Sequence, residues 1–186
     1  AYPYRHIQRV GQENGNNRIA VYSRFPILSA RKLQYDSSYN GSAIYELKIN
    51  EDTITLINNH LESNKLTKAD KAVYEEMLKD PNAHKVKSGT QHLVGKLAEA
   101  SAIRAKQADV IAAEIAASRH PYIIVCGDFN DTAISYTHRV IAEKLDDAFT
   151  ESGQGLGISY NQNKFYFRID NILISKSLRA YNCTVD

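Results

Sequence analysis

The sequence of 186 residues lacks several features that would narrow its function at once. Its two cysteines, Cys126 in an apolar run and Cys183 near the end, suggest a core residue and an incidental one, and they do not reveal a redox compartment. No apolar run is long enough to span a bilayer. The formal net charge is only +2, so there is no basic excess of the kind that marks a duplex-binding protein. A nucleic-acid partner is therefore allowed but not required.

The remaining composition is that of an ordinary globular protein. Hydrophobic residues make up 43% and charged residues 24% of the chain, which excludes the disordered and membranous classes. The length suffices for one well-buried domain and is short for two. The chain begins at Ala1 with neither an initiator Met nor a signal peptide. We therefore expect a piece of a longer protein.

The most informative stretch is residues 123–131, Ile-Ile-Val-Cys-Gly-Asp-Phe-Asn-Asp. Four apolar residues predict a strand buried on both faces, and polar groups follow at its carboxyl end, where α/β sheets bind ligands. Gly127 permits a turn that holds Asp128 beside Asn130. A carboxylate can deprotonate a water molecule, and an amide can hold a phosphoryl oxygen or share a divalent metal. The alternative is an Asx-rich turn that only caps the next helix.

A second predicted strand, residues 53–63, also ends in polar groups. If the strand stays regular, its period of two puts Asn58, His60 and Glu62 on one face. His60 can donate to a phosphoryl oxygen or to a leaving group, although a histidine satisfied by a backbone carbonyl is the alternative. Two neighbouring strands that end in Asn, Asp and His can pool these groups into one site.

The middle of the chain has a helical pattern. Thr67 and Asp70 resemble a capping arrangement for a helix that stops at Pro81. Residues 82–91, which include His84, are predicted to form a loop. This loop is either a solvated connector or a cover over the site that touches an anionic substrate.

A long helix is predicted from about Leu93 to Ser118, and Arg104 is interpreted as a surface or ion-pair residue. Its many alanines allow close approach to a sheet. The predicted buried stripe consists of Leu97, Ala100, Ile103, Gln107, Val110, Ile111 and Ile115.

The last predicted strand, residues 165–175, contains Asp170 within an apolar run. Burial of an unpartnered carboxylate would cost several kcal/mol, so we expect Asp170 to pair with Arg168, with a histidine or with a metal. A simple ion pair between Arg168 and Asp170 is the structural alternative.

Three motifs in this order carry a resemblance: Asn58-Asn59-His60-Leu61, Gly127-Asp128-Phe129-Asn130 and Arg168-Ile169-Asp170-Asn171-Ile172-Leu173. Together they resemble the endonuclease/exonuclease/phosphatase superfamily, the fold of deoxyribonuclease I. The resemblance implies an α/β (α+β) fold in four layers, with two packed β-sheets flanked by helices. It also implies metal-dependent attack of water on a phosphoester.

The resemblance further implies a role for each of four residues. Asp128 would orient and deprotonate the water, and Asn130 would hold the phosphate or help to bind the metal. His60 would stabilise the charge that develops on a phosphoryl oxygen, and Asp170 would orient a further histidine. The implied cofactor is Mg²⁺ or Mn²⁺, bound by Asp128 and Asn130.

Two further parts of the family pattern do not occur in these 186 residues. One is a strand near the start that ends in Gln-Glu, whose Glu binds the metal, and the other is a Ser-Asp-His motif near the end. Neither Glu13 nor Glu46 replaces the missing Glu. We therefore expect residues 1–186 to be a single domain of this superfamily, incomplete at both ends, that binds metal poorly and turns over little or nothing.

The resemblance leaves the phosphoester substrate open between nucleic acid, an inositol phosphate and a phospholipid headgroup. The position of His60 is more like the deoxyribonuclease, sphingomyelinase and inositol-phosphatase branches than the abasic-site endonucleases, which tend to carry Tyr there. The alternatives are a non-catalytic relative that binds a phosphorylated ligand or a protein, and a lipid-headgroup hydrolase at a membrane. No obligate protein partner is evident, membrane association would need a segment absent from this sequence, and no localisation is indicated.

Overall fold

The fold is a mixed α/β arrangement of ten strands and four helices over the residues that the computed structural model describes, which are 2–11, 15–35, 37, 39–79, 84–162 and 165–185. The strands are β1 (Tyr4–Arg9), β2 (Arg18–Ser23), β3 (Ile27–Lys32), β4 (Gly41–Ile49), β5 (Asp52–His60), β6 (Tyr122–Asp128), β7 (Leu145–Asp147), β8 (Tyr160–Gln162), β9 (Phe165–Phe167) and β10 (Asp170–Ser175). The helices are α1 (Lys68–Lys79), α2 (His84–Ala117), α3 (Tyr136–Ile141) and α4 (Ala148–Ser152). The predicted fold class is confirmed.

The centre of the fold is a six-stranded sheet in the order β3-β4-β5-β6-β10-β7. Strands β5 and β6 are parallel, and the other neighbouring pairs are antiparallel. A parallel pair requires a long crossover, which α1 and α2 supply. Both strands that the sequence singled out, β5 and β6, therefore lie side by side and end at the same edge of the sheet.

One face of this sheet packs against α2 and α3. Apolar residues of β5, β6 and β10, among them Ile57, Val125 and Leu173, are fully buried there. The buried residues of α2 are Leu93, Ala100, Arg104, Gln107, Ala108, Ile111 and Ile115. The predicted stripe is confirmed at Ala100, Gln107, Ile111 and Ile115, whereas Ile103 and Val110 are half-buried and Leu97 is 36% exposed.

The opposite face packs against a second sheet that consists of β1 and β2 in the described residues. Val10 and Ile19 form one buried cluster with Tyr45 and its neighbours in β4. The sheet of β1 and β2 covers β3, β4 and β5. It does not cover β10, whose Ile172 lies on the same face and is 46% exposed. Two packed sheets with helices on the outer face agree with the layered architecture that the resemblance implies.

The predicted capping arrangement of α1 is confirmed. The backbone N–H of Thr67 donates to Asp70 Oδ2 at 2.7 Å, and the N–H of Asp70 donates back to Thr67 Oγ1 at 3.2 Å. Lys96 Nζ of α2 lies 2.7 Å from the same carboxylate. The hydrogen bond from Lys96, followed by those from Thr67, holds the pKa of Asp70 well below its usual range. One carboxylate therefore both caps α1 and joins it to α2.

The predicted loop over residues 82–91 is wrong from His84 onward, because α2 already begins there. Residues 82 and 83 lie outside the described part, as do the side chains of residues 84–88. A Cβ on Gly89 would lie 2.8 Å from Cγ1 of Val73, so the missing side chain lets α2 lie close against α1. Packing between the two helices outweighs the poor helix propensity of this glycine.

The predicted last strand is two strands, β9 and β10, and Arg168 lies between them. Arg168 donates two hydrogen bonds to Asp147, at 2.9 and 2.7 Å, so the proposed pair between Arg168 and Asp170 is wrong. Asp147 also accepts from the backbone N–H of Phe149 at 2.9 Å and thereby caps α4. Arg168 and Asp147 are 21 residues apart in the sequence, so the sequence alone gave no reason to expect them to pair.

The ion pairs of the half-buried Asp147 predict a stability that is sensitive to acid. Burial alone would raise the pKa of its carboxyl, but hydrogen bonds with His138 and Arg168 and from a backbone N–H outweigh this effect and hold the pKa well below the usual value. The stabilisation is therefore present above the pKa of an unfolded Asp, about 3.9, and is lost as the pH falls toward the folded value.

We expect Asp147→Asn to lower the urea midpoint of unfolding at pH 7 and to lower it by less at pH 3, where the stabilisation is partly lost. The neighbouring Asp146, which forms no ion pair with any described residue, supplies the control Asp146→Asn. Equal destabilisation by Asp147→Asn at both pH values would contradict this account of the pair.

Candidate active site

Three strands of the central sheet place His60, Asp128 and Asp170 directly beside one another. In the parallel pair β5 and β6, His60 is the register partner of Asp128. In the antiparallel pair β6 and β10, Asp128 is the register partner of Asp170. Three of the predicted site residues thus lie in one row at one edge of the sheet, as the pooling of strand ends predicted.

His60 and Asp128 are close but not hydrogen-bonded. His60 Nε2 lies 3.7 Å from Asp128 Oδ2, and the two side chains are 45% and 29% exposed. Both groups are therefore accessible to solvent from the same edge. A ligand that reaches this edge can contact both.

The turn after β6 brings Asn130 back toward Asp128. Asn130 has a positive φ of 50°, and its backbone N–H donates to Asp128 Oδ1 at 2.7 Å. The Asn130 Nδ2 donates to the carbonyl of Leu61, at the end of β5, at 3.0 Å. An Asx-type turn is therefore present, but it does not cap α3, whose N-cap is Ser135, and it leaves Asp128 Oδ2 outside the turn.

Gly127 makes this arrangement of β5 and β6 possible. Its φ is +122°, and a Cβ at this position would lie 2.0 Å from the carbonyl oxygen of Asn59. Asn59 in turn accepts a hydrogen bond from Ser42 Oγ at 2.6 Å and donates to the carbonyl of Cys126 at 3.3 Å. The ends of the two strands are consequently fixed against each other directly beneath the row of site residues.

The environment raises the pKa of the Asp128 carboxyl. Burial is the largest cause, and the negative charge of Asp170 adds to it, while the N–H of Asn130 and the charges of His60 and Arg104 act in the opposite direction. A carboxylate with a raised pKa accepts a proton more readily than an ordinary one. This property suits the general-base role that the motif implies.

Arg104 lies beside the site, and of the two interpretations from the sequence, a surface residue or an ion-pair residue, the ion pair is confirmed. It is only 3% exposed. Its Nε lies 3.0 Å from Asp131 Oδ2, and its Nη1 donates to the carbonyl of Glu62 and to Asn64 Oδ1, both at 2.9 Å. Its spacing of four residues from Ala100, on the buried stripe of α2, was the signal that could have revealed it. Arg104 ties the loop after β5 to the loop after β6.

Glu62 does not share a face with His60, contrary to the prediction. Strand β5 ends at His60, and Leu61 N–H donates to the carbonyl of Asp128 at 2.9 Å as the chain leaves the sheet. Glu62 is 2% exposed, with Lys65 Nζ 2.6 Å from its carboxylate. The period of two fails here because the strand is shorter than its apolar pattern suggested.

Asp170 is exposed, so the expectation of a buried carboxylate at this position is wrong. It is the first residue of β10, and its backbone N–H donates to Ser159 Oγ at 3.1 Å. Water therefore solvates the carboxylate at the sheet edge, and no buried counter-charge is required.

Asp128 and Asn130 are the residues at this edge that could contribute ligands to a divalent metal ion. In the described ranges, no group of three or more His, Cys, Asp and Glu side chains is placed to hold one. Asp128 and Asn130 nevertheless offer a carboxylate and an amide oxygen, which are ligands that Mg²⁺ prefers. Mg²⁺ commonly takes one or two protein ligands and completes its shell with water and phosphate. These two residues fit as part of a metal site.

In the part of the chain that the structure describes, no helix combines the length and the hydropathy needed to cross a bilayer.

Solved structures of other proteins share this fold. A protein of the endonuclease/exonuclease/phosphatase family from Leptotrichia buccalis superposes with a TM-score of 0.59 at 16% identity, with 96% of this chain and 62% of that chain covered. D. rerio TDP2 complexed with a single-strand DNA product gives 0.59 at 17% identity, with 94% and 63% covered. Sphingomyelinase C from Streptomyces griseocarneus gives 0.54 at 17% identity, with 84% and 52% covered.

The chain spans about 62% of the length of the first of these structures. No curated protein sequence matches it significantly. The family model described as Endonuclease/Exonuclease/phosphatase family matches residues 1–186, that is, the whole chain. The motif-based resemblance is thereby confirmed, and the chain belongs to the endonuclease/exonuclease/phosphatase family.

Proposed function

We propose that the protein hydrolyses a phosphoester by attack of water, with a divalent metal ion as cofactor. Membership of a family of nucleases and phosphatases supports the reaction class. The observation that carries the proposal is the row of His60, Asp128 and Asp170 at one register of three neighbouring strands. A base, a charge-stabilising group and an orienting carboxylate are thereby available at one accessible edge.

In this proposal Asp128 accepts the proton of the attacking water. Its Oδ1 is held by the N–H of Asn130, so the Oδ2, which lies outside the turn, is the oxygen that receives the proton. The raised pKa of Asp128 favours this transfer. Asp170, exposed beside it, would orient a further histidine supplied by another part of the protein.

His60 and Asn130 would act on the phosphate. One amide hydrogen of Asn130 is used on Leu61, which leaves the second hydrogen for a phosphoryl oxygen and the amide oxygen for a cation. His60 donates to the phosphoryl oxygen on which charge develops. Asp128 and Asn130 would hold Mg²⁺ or Mn²⁺, which when bound neutralises the charge at the phosphate.

The experiment that tests the proposal is hydrolysis by the full-length protein with and without Mg²⁺. The panel consists of plasmid DNA, bis-p-nitrophenyl phosphate, an inositol phosphate and sphingomyelin, because nucleic acid and lipid headgroups are both candidates. We expect metal-dependent hydrolysis of at least one substrate. If none of these substrates is hydrolysed, and the full-length protein lacks the metal-binding Glu and the Ser-Asp-His motif of the family, a non-catalytic relative that binds a phosphorylated ligand would be favoured.

His60→Ala is expected to lower kcat by about a hundredfold, because a group that stabilises charge in the transition state commonly contributes this much. The matched control is His120→Ala. His120 lies just before β6, at the opposite end from the site, and pairs with Glu46 at 3.1 Å. We expect less than about a threefold change in kcat for the control. Equal losses in both variants would indicate a structural effect and contradict the role of His60.

A further inference from the structure

A cavity of about 590 Å³ opens beside Asn130 and contains none of the other proposed catalytic residues. Its walls are α1, the first half of α2, the loop after β5 and the hairpin of β8 and β9. About half of the lining residues are apolar or aromatic, among them Leu66, Tyr74, Leu93, Leu97, Phe165 and Phe167. The volume lies within the range of small-ligand sites, which is about 300–1,000 Å³.

The aromatic side chains of the cavity are arranged by β9. Phe165 stacks on Tyr74 of α1, with ring centroids 4.0 Å apart and planes at 22°, and Phe167 lies 6.0 Å from Phe165. Tyr166, between them in sequence, does not line this cavity and is 59% exposed. The alternation of the strand thus presents two rings to the cavity and one to the other side.

The rim of the cavity is polar and cationic. Lys71 Nζ donates to Tyr160 Oη at 3.1 Å and lies 5.8 Å from the centre of that ring. Lys71 forms no ion pair with any residue that the structure describes. Ser101 and Thr132 add hydroxyl groups to the lining. A purely hydrocarbon occupant would displace water from these polar groups and offer them no hydrogen bond in its place, which is unfavourable.

The cavity is continuous with the candidate active site. Asn130 and Ile169 both line it. The backbone N–H of Asn130 is bonded to Asp128, and Ile169 precedes Asp170 in the chain. A group attached to a phosphate at Asp128 can therefore extend past Asn130 into the cavity.

We propose that this cavity binds the nucleobase of a nucleotide whose phosphate lies at Asp128. The inference rests on the proposed function and assigns a nucleotide as the substrate class of that site. Planar bases stack on aromatic rings, and donors at the rim can pair with the polar edges of a base. The ammonium of Lys71 can donate to an oxygen on the edge of the base.

The test compares two phosphodiesters with the same leaving group in the full-length protein with Mg²⁺. One is the p-nitrophenyl ester of thymidine 5′-monophosphate, and the other is methyl p-nitrophenyl phosphate. We expect kcat/KM to be about tenfold or more higher for the nucleotide ester, because stacking of one base commonly contributes an effect of this size. Phe165→Leu should remove most of this preference, whereas Tyr166→Leu, on the same strand, should keep it.

A binding measurement separates this inference from the reaction itself. We expect thymidine 5′-monophosphate to bind to the metal-free protein in calorimetric titrations, and we expect Phe165→Leu and Lys71→Gln each to weaken binding several-fold. Lys71→Gln removes no ring, so it tests the site even if Phe165→Leu fails to fold.

Two outcomes would overturn the nucleobase subsite. One is equal kcat/KM for both esters together with no binding of thymidine 5′-monophosphate, which leaves phosphoester hydrolysis intact. The other is a preference for hexadecyl p-nitrophenyl phosphate that Phe165→Leu abolishes, which would make the cavity an acyl-chain site. Nucleotide binding without hydrolysis of any ester would contradict the proposed function alone.

Discussion

Asp128→Asn in the full-length protein is expected to lower kcat for phosphoester hydrolysis by about three orders of magnitude or more. The substitution keeps the shape of the side chain and the oxygen that accepts the N–H of Asn130, but it removes the carboxylate that takes the proton from water. It also removes one charge from the proposed metal ligands. Initial rates at saturating substrate and Mg²⁺ measure the effect.

The fold should survive this change, because the side chain of Asp128 forms no hydrogen bond in the described structure beyond the turn to Asn130. Equal urea midpoints for the variant and the wild-type protein would establish this. Asp52→Asn is the matched control, since Asp52 begins β5 at the opposite edge of the sheet and is exposed. Full activity of Asp128→Asn would place the base on another residue.

Gly127→Ala is expected to be the most destabilising single methyl addition near the site. The new Cβ would lie 2.0 Å from the carbonyl oxygen of Asn59, a backbone atom that cannot move without separating β5 from β6. We expect a loss of about 4 kcal/mol or more in the free energy of unfolding, which places this variant among the rare severe cases. The urea midpoint would fall by about 2 M, or the protein would not fold.

Gly155→Ala is the control that distinguishes the steric clash at Gly127 from the cost of a positive φ in a residue with a side chain. Gly155 also has a positive φ, +77°, but a Cβ there would meet nothing within 4 Å. Its substitution should cost only the conformational strain, about 1–2 kcal/mol. A midpoint for Gly127→Ala similar to that of Gly155→Ala would show that β5 and β6 can adjust, against the expectation of a rigid contact.

The parts of the fold that local chemistry dictates could be predicted from the sequence. The apolar residues of β6, followed by Gly127 and Asp128, indicated both a central strand and the polar residues at its carboxyl end. The reciprocal bonds of Thr67 and Asp70 follow from their spacing of three residues. His60 could be assigned to the same site because strands that carry polar ends commonly meet at one edge of a sheet.

The parts that tertiary packing decides could not be predicted. Helix α2 begins at His84 and includes Gly89, which lies close against Val73 of α1, although glycine alone favours a loop. The burial of Arg104 depends on two loops that converge on it from different places in the chain. The ion pair of Arg168 with Asp147 depends on the pairing of β7 with β10. Each of these interactions joins segments that are far apart in the sequence, and no local sequence pattern indicates that they are close in the fold.

The parallel pairing of β5 and β6 also has a consequence for folding. Asn59 and Cys126, which are hydrogen-bonded across this pair, are separated by 67 residues in the chain. Non-local contacts of this kind form late, because the intervening segment must first be closed into a loop at an entropic cost. The row of site residues therefore exists only in the cooperatively folded protein. A ligand that binds only this row should raise the apparent stability, by an amount that grows with the logarithm of the ligand concentration once that concentration exceeds Kd.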